Sequence, residues 1–207
     1  MATSSPAARR TRAVESFKTA ADCIGTITPG MALFALTRGQ FSMIDAVLAC
    51  LDQIGEADLS IWTWTVAEYE IATLTRLRMD HRLRSGRLVI DYGARHKNAG
   101  LIAEWRGTFG HESVRYVVNH AKIATIRTPD YKLLLRGSMN LNFNPRFEQF
   151  DLTEGGPDFD LVAGIEAELP ILAPDASGAE VYAATRLDAA FSQTQLLPFR
   201  GVKPWAK

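Results

Sequence analysis

From residue 30 onwards the chain alternates between short apolar runs and stretches with helical spacing. Gly30 to Thr37 is an apolar run bounded by Pro29 and by Arg38-Gly39, the signature of a buried strand. Phe41 through Ile54 follows with Ile44, Val47, Leu48 and Leu51 on one helical face, and Ser42 is placed to cap it. Asp58 to Thr65 supplies a second strand and Ala67 to Leu77 a second helix. Arg87 to Asp91 and Asn98 to Phe109 repeat the pair, and Val114 to Val118 leads towards His120. Two further strands follow, through Ile123-Ala124-Thr125-Ile126 and from Tyr131 through Leu135. Thr128-Pro129-Asp130 between them is a turn signal, so the pair reads as a hairpin. Strand–helix alternation closed by a hairpin calls for a three-layer α/β/α sandwich with a mixed, largely parallel sheet and helices on both faces.

The densest chemistry lies on the predicted hairpin. A histidine and a lysine two apart, His120 and Lys122, point to the same face of a strand, because side chains alternate with period two. An ammonium that grips a phosphate beside an imidazole that attacks it is a pairing suited to phosphoryl chemistry. Gly137-Ser138-Met139-Asn140 follows, and the hairpin brings Ser138 and Asn140 towards the pair. Either pattern alone is common; an H-x-K in a strand arises by chance, and a G-S-x-N is an ordinary turn.

Together and in order, H-x-K and G-S-x-N resemble the phospholipase D superfamily, also called the HKD family, from about Gly30 to about Leu172. The resemblance implies a nucleophilic role for His120, which becomes phosphorylated, and phosphate binding by Lys122 and Asn140, with Ser138 as a further donor. It implies a metal-independent phosphodiesterase with no cofactor. The nuclease branch of the family carries a glutamate after G-S-x-N that orients a histidine, and Glu148 is the candidate. Where the family has an aspartate five positions after the lysine, this chain has Arg127. If Arg127 fills that place, Asp130, Glu148 or Asp151 should pair with it, since a buried unpaired charge is costly.

Size and composition fit a single soluble domain. The chain has 207 residues, 47% of them hydrophobic and 22% charged, with a formal net charge of zero. Any nucleic-acid binding must therefore come from a local patch. Cys23 and Cys50 form no C-x-x-C, so neither structural zinc nor any other metal is expected, and a reducing, cytoplasmic setting fits. No apolar run is long enough to cross a membrane. Residues 1–25, with Arg9, Arg10 and Arg12, read as a basic flexible tail, residues 26–173 as the phospholipase D-like domain, and residues 174–207 as an irregular tail.

Outside the motif, Arg95, His96 and Lys97 follow a strand, where α/β sheets place ligands, and are candidates for contacting a polyanion; a solvated loop is the alternative. Trp62 and Trp64 share a strand face as a stacking platform, a core pair or a dimer seam. His81 and His111 carry no signal, and Asn142 and Asn144 shape the loop after the motif.

Small single-motif members of the superfamily tend to be nucleases, so the resemblance implies nucleic acid as substrate, DNA ahead of RNA. A second histidine is needed for the leaving group, which implies a homodimer with the site on its two-fold axis and Leu141, Phe143 and Phe147 at the seam. Short chains with this look occur among phage and mobile-element genes. The alternative is a catalytically weakened or inactive protein of the same fold that binds nucleic acid or a protein partner.

Overall fold

The computed structural model describes residues 9–141 and 145–185. Eight strands form one sheet: β1 (Arg10–Arg12), β2 (Ala32–Arg38), β3 (Ala57–Thr63), β4 (Leu83–Asp91), β5 (Val114–Val117), β6 (Ile123–Arg127), β7 (Lys132–Gly137) and β8 (Phe147–Glu154). Their spatial order is β1-β2-β8-β7-β6-β3-β4-β5. The pairs β1–β2, β3–β4 and β4–β5 are parallel, and the other four are antiparallel. The sheet is thus mixed, as the hairpin predicted, and β6 and β8 run against the other six strands.

Among the described residues six α-helices cover it: α1 (Ala20–Ile24), α2 (Met43–Ile54), α3 (Glu68–Met79), α4 (Ala99–Phe109), α5 (Pro157–Glu168) and α6 (Gly178–Thr185). Ser42 caps α2 as its sequence predicts, in a reciprocal box with Asp45. Residues of α1 to α4 share one apolar core with Leu33, Leu59, Ile61, Leu88, Leu133, Leu135 and Phe150 of the sheet. The opposite sheet face meets α5, where Ser60 and Trp62 of β3 and Arg87 of β4 bond Glu166. Trp62 is therefore a packing residue, joined by Val89, Val117 and Leu169.

Residues 10–24, expected within a flexible tail, are part of the fold. β1 pairs with β2 from Arg10 to Arg12. Arg9 pairs with Asp151, and the Arg10 guanidinium donates to the Ile24 carbonyl at 2.7 Å. A strand reading Arg-Thr-Arg has no apolar alternation to announce it; backbone pairing with β2 and the side-chain bonds of Arg9 and Arg10 place it. Likewise α6 lies within the stretch expected to be irregular, where Val181 is buried. Residues 1–8 and 186–207 lie outside the described residues.

Cys23 and Cys50 are free and buried; burial pushes their thiols up to about 11 and about 12, although Arg12 and Arg10 act against the rise at Cys23. Among the described residues no helix is long and apolar enough to cross a membrane.

Candidate active site

Strand direction decides where the polar chemistry gathers. β2, β3, β4, β5 and β7 end, and β6 and β8 begin, along one edge of the sheet. The edge carries His120 and Lys122 before β6, Ser138 and Asn140 after β7, and Glu148 at the start of β8.

His120 and Lys122 do meet, but not by strand alternation. β6 begins only at Ile123, and residues 119–122 are irregular. Asn119 sets their shape: its side-chain oxygen accepts from Ala121 N at 2.8 Å, and its amide donates to the carbonyls of Ala121 and Thr63, each at 3.2 Å. With Asn119 occupying those backbone groups, the ladder cannot extend back to His120. Lys122 Nζ lies 3.0 Å from His120 Nδ1 and donates to the His120 carbonyl at 2.7 Å. The imidazole is exposed, whereas Lys122 is only 7% exposed. Burial draws the Lys122 ammonium below its usual pKa of 10.5, and the negative charge of Glu148 works in the opposite direction.

Ser138 also lies past its strand. Its hydroxyl donates to the Glu148 carboxylate and accepts from Gln149 N at 2.9 Å, and its own N–H donates to Gln149 O at 3.1 Å. Gly137 N donates to the Lys122 carbonyl at 3.1 Å, which ties the two halves together. The motif glycine is required by space: a Cβ at Gly137 would overlap the carbonyl oxygen of Gln149. Asn140 differs from Ser138 in orientation. Its side-chain oxygen is buried with no hydrogen-bond partner among the described residues, while Ser138 is exposed.

Three residues that the motif did not reveal hold this edge together. Thr63 Oγ1 accepts from Leu141 N at 3.3 Å, while its carbonyl takes the Asn119 amide. Asp91, ending β4, accepts from Asn119 N at 2.9 Å and from Gly93 N at 2.8 Å. Asn immediately before the histidine was the one available signal, a residue that forms side-chain turns; the roles of Thr63 and Asp91 depend on contacts distant in sequence.

Arg127 is far from this chemistry. It ends β6, about 13 Å beyond Ile123 at strand rise. It is exposed, stacks 5.3 Å from the Phe159 ring centroid and stands directly opposite Asp58 on β3. The expected pairing with Asp130, Glu148 or Asp151 is not found: Asp151 engages Arg9, and Glu148 takes Ser138. Asp58 answers the charge instead. Burial alone would raise its carboxyl, but hydrogen bonds from Arg84 and Ser85, with the charges of Arg84 and Arg127, hold it low.

Arg95, His96 and Lys97 lie beyond β4 on the same sheet edge. Arg95 is committed to structure, stacked 4.1 Å from the Tyr92 centroid and bonded to the Ala176 carbonyl, with Nε 3.2 Å from His96 Nε2. His96 and Lys97 are exposed. Trp64, beyond the end of β3, is 44% exposed. Asn142, Phe143 and Asn144 lie outside the described residues, and Leu141, expected at a seam, is buried within the chain's own core. Among the described residues no group of three or more His, Cys, Asp and Glu side chains is arranged to hold a metal ion.

No protein-family model matches the chain, and no curated protein matches it. Solved structures similar to it include polyphosphate kinase from Porphyromonas gingivalis, with 16% identity and a TM-score of 0.46 over 72% of this chain. Phosphatidylserine synthase from Haemophilus influenzae Rd KW20 aligns with 13% identity and a TM-score of 0.48 over 81% of this chain. The aligned region spans 27% of the kinase chain and 47% of the synthase chain, so this chain spans about a quarter of the kinase and about half of the synthase.

Proposed function

We propose that this chain is a phosphodiesterase of the phospholipase D type, a metal-independent nuclease acting through a phosphohistidine. The observation that carries the reading is the 3.0 Å contact between Lys122 Nζ and His120 Nδ1 on the edge shared by Ser138 and Glu148. His120 attacks phosphorus, the phosphorus–nitrogen bond forms, and the bond to the leaving oxygen breaks as a second histidine protonates it. Water activated by that second histidine then cleaves the phosphohistidine. Lys122 and Asn140 neutralise and bind the phosphoryl oxygens, with Ser138 as a further donor. The Asn140 oxygen, unpartnered among the described residues, and the Lys122 ammonium, with two of its three donors turned on His120, are groups that substrate would reorganise. An arriving phosphate that draws Nζ away from Nδ1 frees that nitrogen to carry the ring proton, leaving Nε2 as the nucleophile.

The test is incubation with single- and double-stranded DNA and RNA in EDTA, beside His120→Ala and Lys122→Met. Cleavage that survives chelation and disappears in both variants is expected, with an acid-labile protein–phosphate adduct trapped at short times. The second reading is a non-catalytic protein of the same fold that binds nucleic acid or a protein partner. The apolar side chains exposed around the same edge, Trp64, Val118 and Phe147, favour it. Binding with neither cleavage nor adduct would select it.

A further inference from the structure

The sheet face under α5 carries cations beside the buried Leu134 and the half-buried Trp62, whereas the face under α1 to α4 is apolar. Arg136 and Lys132 lie four apart on β7 and share that face, about 13 Å from one another along the strand. Arg127 of β6 stands directly opposite Lys132, and Arg38 ends β2 on the same side. Arg136 precedes Ser138 by two residues, so this row of cations begins at the candidate active site and leads away from it.

What covers the row is acidic. The first turn of α5 sets Asp158 on Arg136 at 2.7 Å and Asp160 on Lys132 at 2.8 Å. Between them Phe159 is buried against Arg127 and Lys132, with ring centroid distances of 5.3 and 5.8 Å, while Leu161 faces solvent. All four ion-paired side chains are well exposed, and pairs of this kind are weak, salt-sensitive and readily exchanged for another anion. Arg127 makes no salt bridge among the described residues.

We propose that Arg38, Arg136, Lys132 and Arg127 form a track for the phosphate backbone of a nucleic acid leading from the site, and that Asp158 and Asp160 are its built-in competitors. The carboxylates occupy positions that backbone phosphates take when a strand binds, so α5 sets a threshold of charge density that a ligand must exceed. A polyanion displaces both; a single phosphate does not. This proposal rests on nucleic acid being the substrate of the site.

The test measures binding of a short fluorescein-labelled single-stranded DNA by anisotropy in EDTA over a salt series, all in the His120→Ala background to prevent cleavage. Asp158→Asn with Asp160→Asn should tighten binding roughly threefold to tenfold, the worth of two exposed ion pairs. Lys132→Gln with Arg136→Gln should weaken it and lower the salt slope by about one per cation removed. Combining the two pairs of changes should erase the gain. In the chain without α5 changes, hydrogen exchange of the α5 amides from Leu161 to Gly164, the first that are bonded within the helix, should quicken when DNA is added, a readout independent of how the variants fold. Unchanged affinity in the Asn variant, or unchanged exchange on binding, would overturn the track while DNA binding sensitive to Lys122→Met left the site's reading intact. Absence of DNA binding in every form would remove both.

Discussion

At the scale of single residues, charge placement gives two tests. Lys122 is buried, and its ammonium is held below 10.5 by that burial, against the pull of Glu148. Because the lowered pKa lets the proton leave earlier as pH rises, DNA affinity should fall on the alkaline side at a pH below 10.5. Glu148→Gln removes the stabilising charge and should move that limb to lower pH; anisotropy titrations across pH would show it, and an unmoved limb would contradict the coupling. Arg127 gives the second test. It faces Asp58 across the β3–β6 pair, so Arg127→Asp sets two carboxylates opposite one another. Opposed like charges should cost about 1 kcal/mol, or roughly 2–4 °C in Tm at pH 7. Both groups are ionised at pH 7; near about pH 3 the introduced carboxyl is largely protonated, so the penalty should shrink there, while Asp58, held low by Arg84 and Ser85, keeps its charge longer. Calorimetry at the two pH values distinguishes this from a loss of packing, which acid would not relieve.

Among the elements, the end of β7 is the tightest. Gly137 has no room for a Cβ beneath the Gln149 carbonyl, so Gly137→Ala must push β7 and β8 apart where Ser138 meets Glu148. A loss of about 2 kcal/mol is expected from such overpacking, read as a lower urea midpoint. Any phosphodiesterase activity should fall further than the unfolded fraction explains. The elements also show what the sequence made legible. β2, α2, β3, α3 and α4 bury apolar side chains such as Leu33, Ile44, Ile61, Leu74 and Trp105, and each was recognisable within a few residues of its ends. α5 was not, because its inward face buries one aromatic, Phe159, and one carboxylate, Glu166, rather than an apolar stripe. At the site, the spacing of His120 and Lys122 foretold a real contact through the wrong local geometry. An Asn119 turn, not a strand, makes it. Thr63 and Asp91 could not be read in advance, since their partners are brought to them only by the closed sheet.

For the whole molecule, the question is whether two copies share the edge. Trp64, Val118 and Phe147 are 44%, 56% and 64% exposed, and all lie at the sheet edge that carries His120. An isologous dimer through that edge would cover them and bring two histidines together. Phe147→Glu should therefore shift sedimentation at micromolar concentration towards monomer, because a charge is forced into an apolar seam. If the protein cleaves DNA, mixed dimers of wild type and His120→Ala should be as inactive as the mutant homodimer. A monomeric wild type that cleaves in EDTA would exclude the shared site.

The order β2-β8-β7-β6-β3 also has a consequence for how the chain is made. β2 is synthesised early, yet its partner on the inner side is β8, with Leu33 paired to Leu152. β3 likewise waits for β6. The two early portions of the sheet are joined only by the three strands made last, across a loop whose closure is entropically costly and slow. Until Glu154 has left the ribosome, β2 and β3 both present open hydrogen-bonding edges, the sites at which nascent chains pair wrongly with one another. Because those late strands also carry Lys122, Ser138 and Glu148 to one edge, the groups of the candidate site assemble in the same event that closes the sheet, and a chain halted before it has neither.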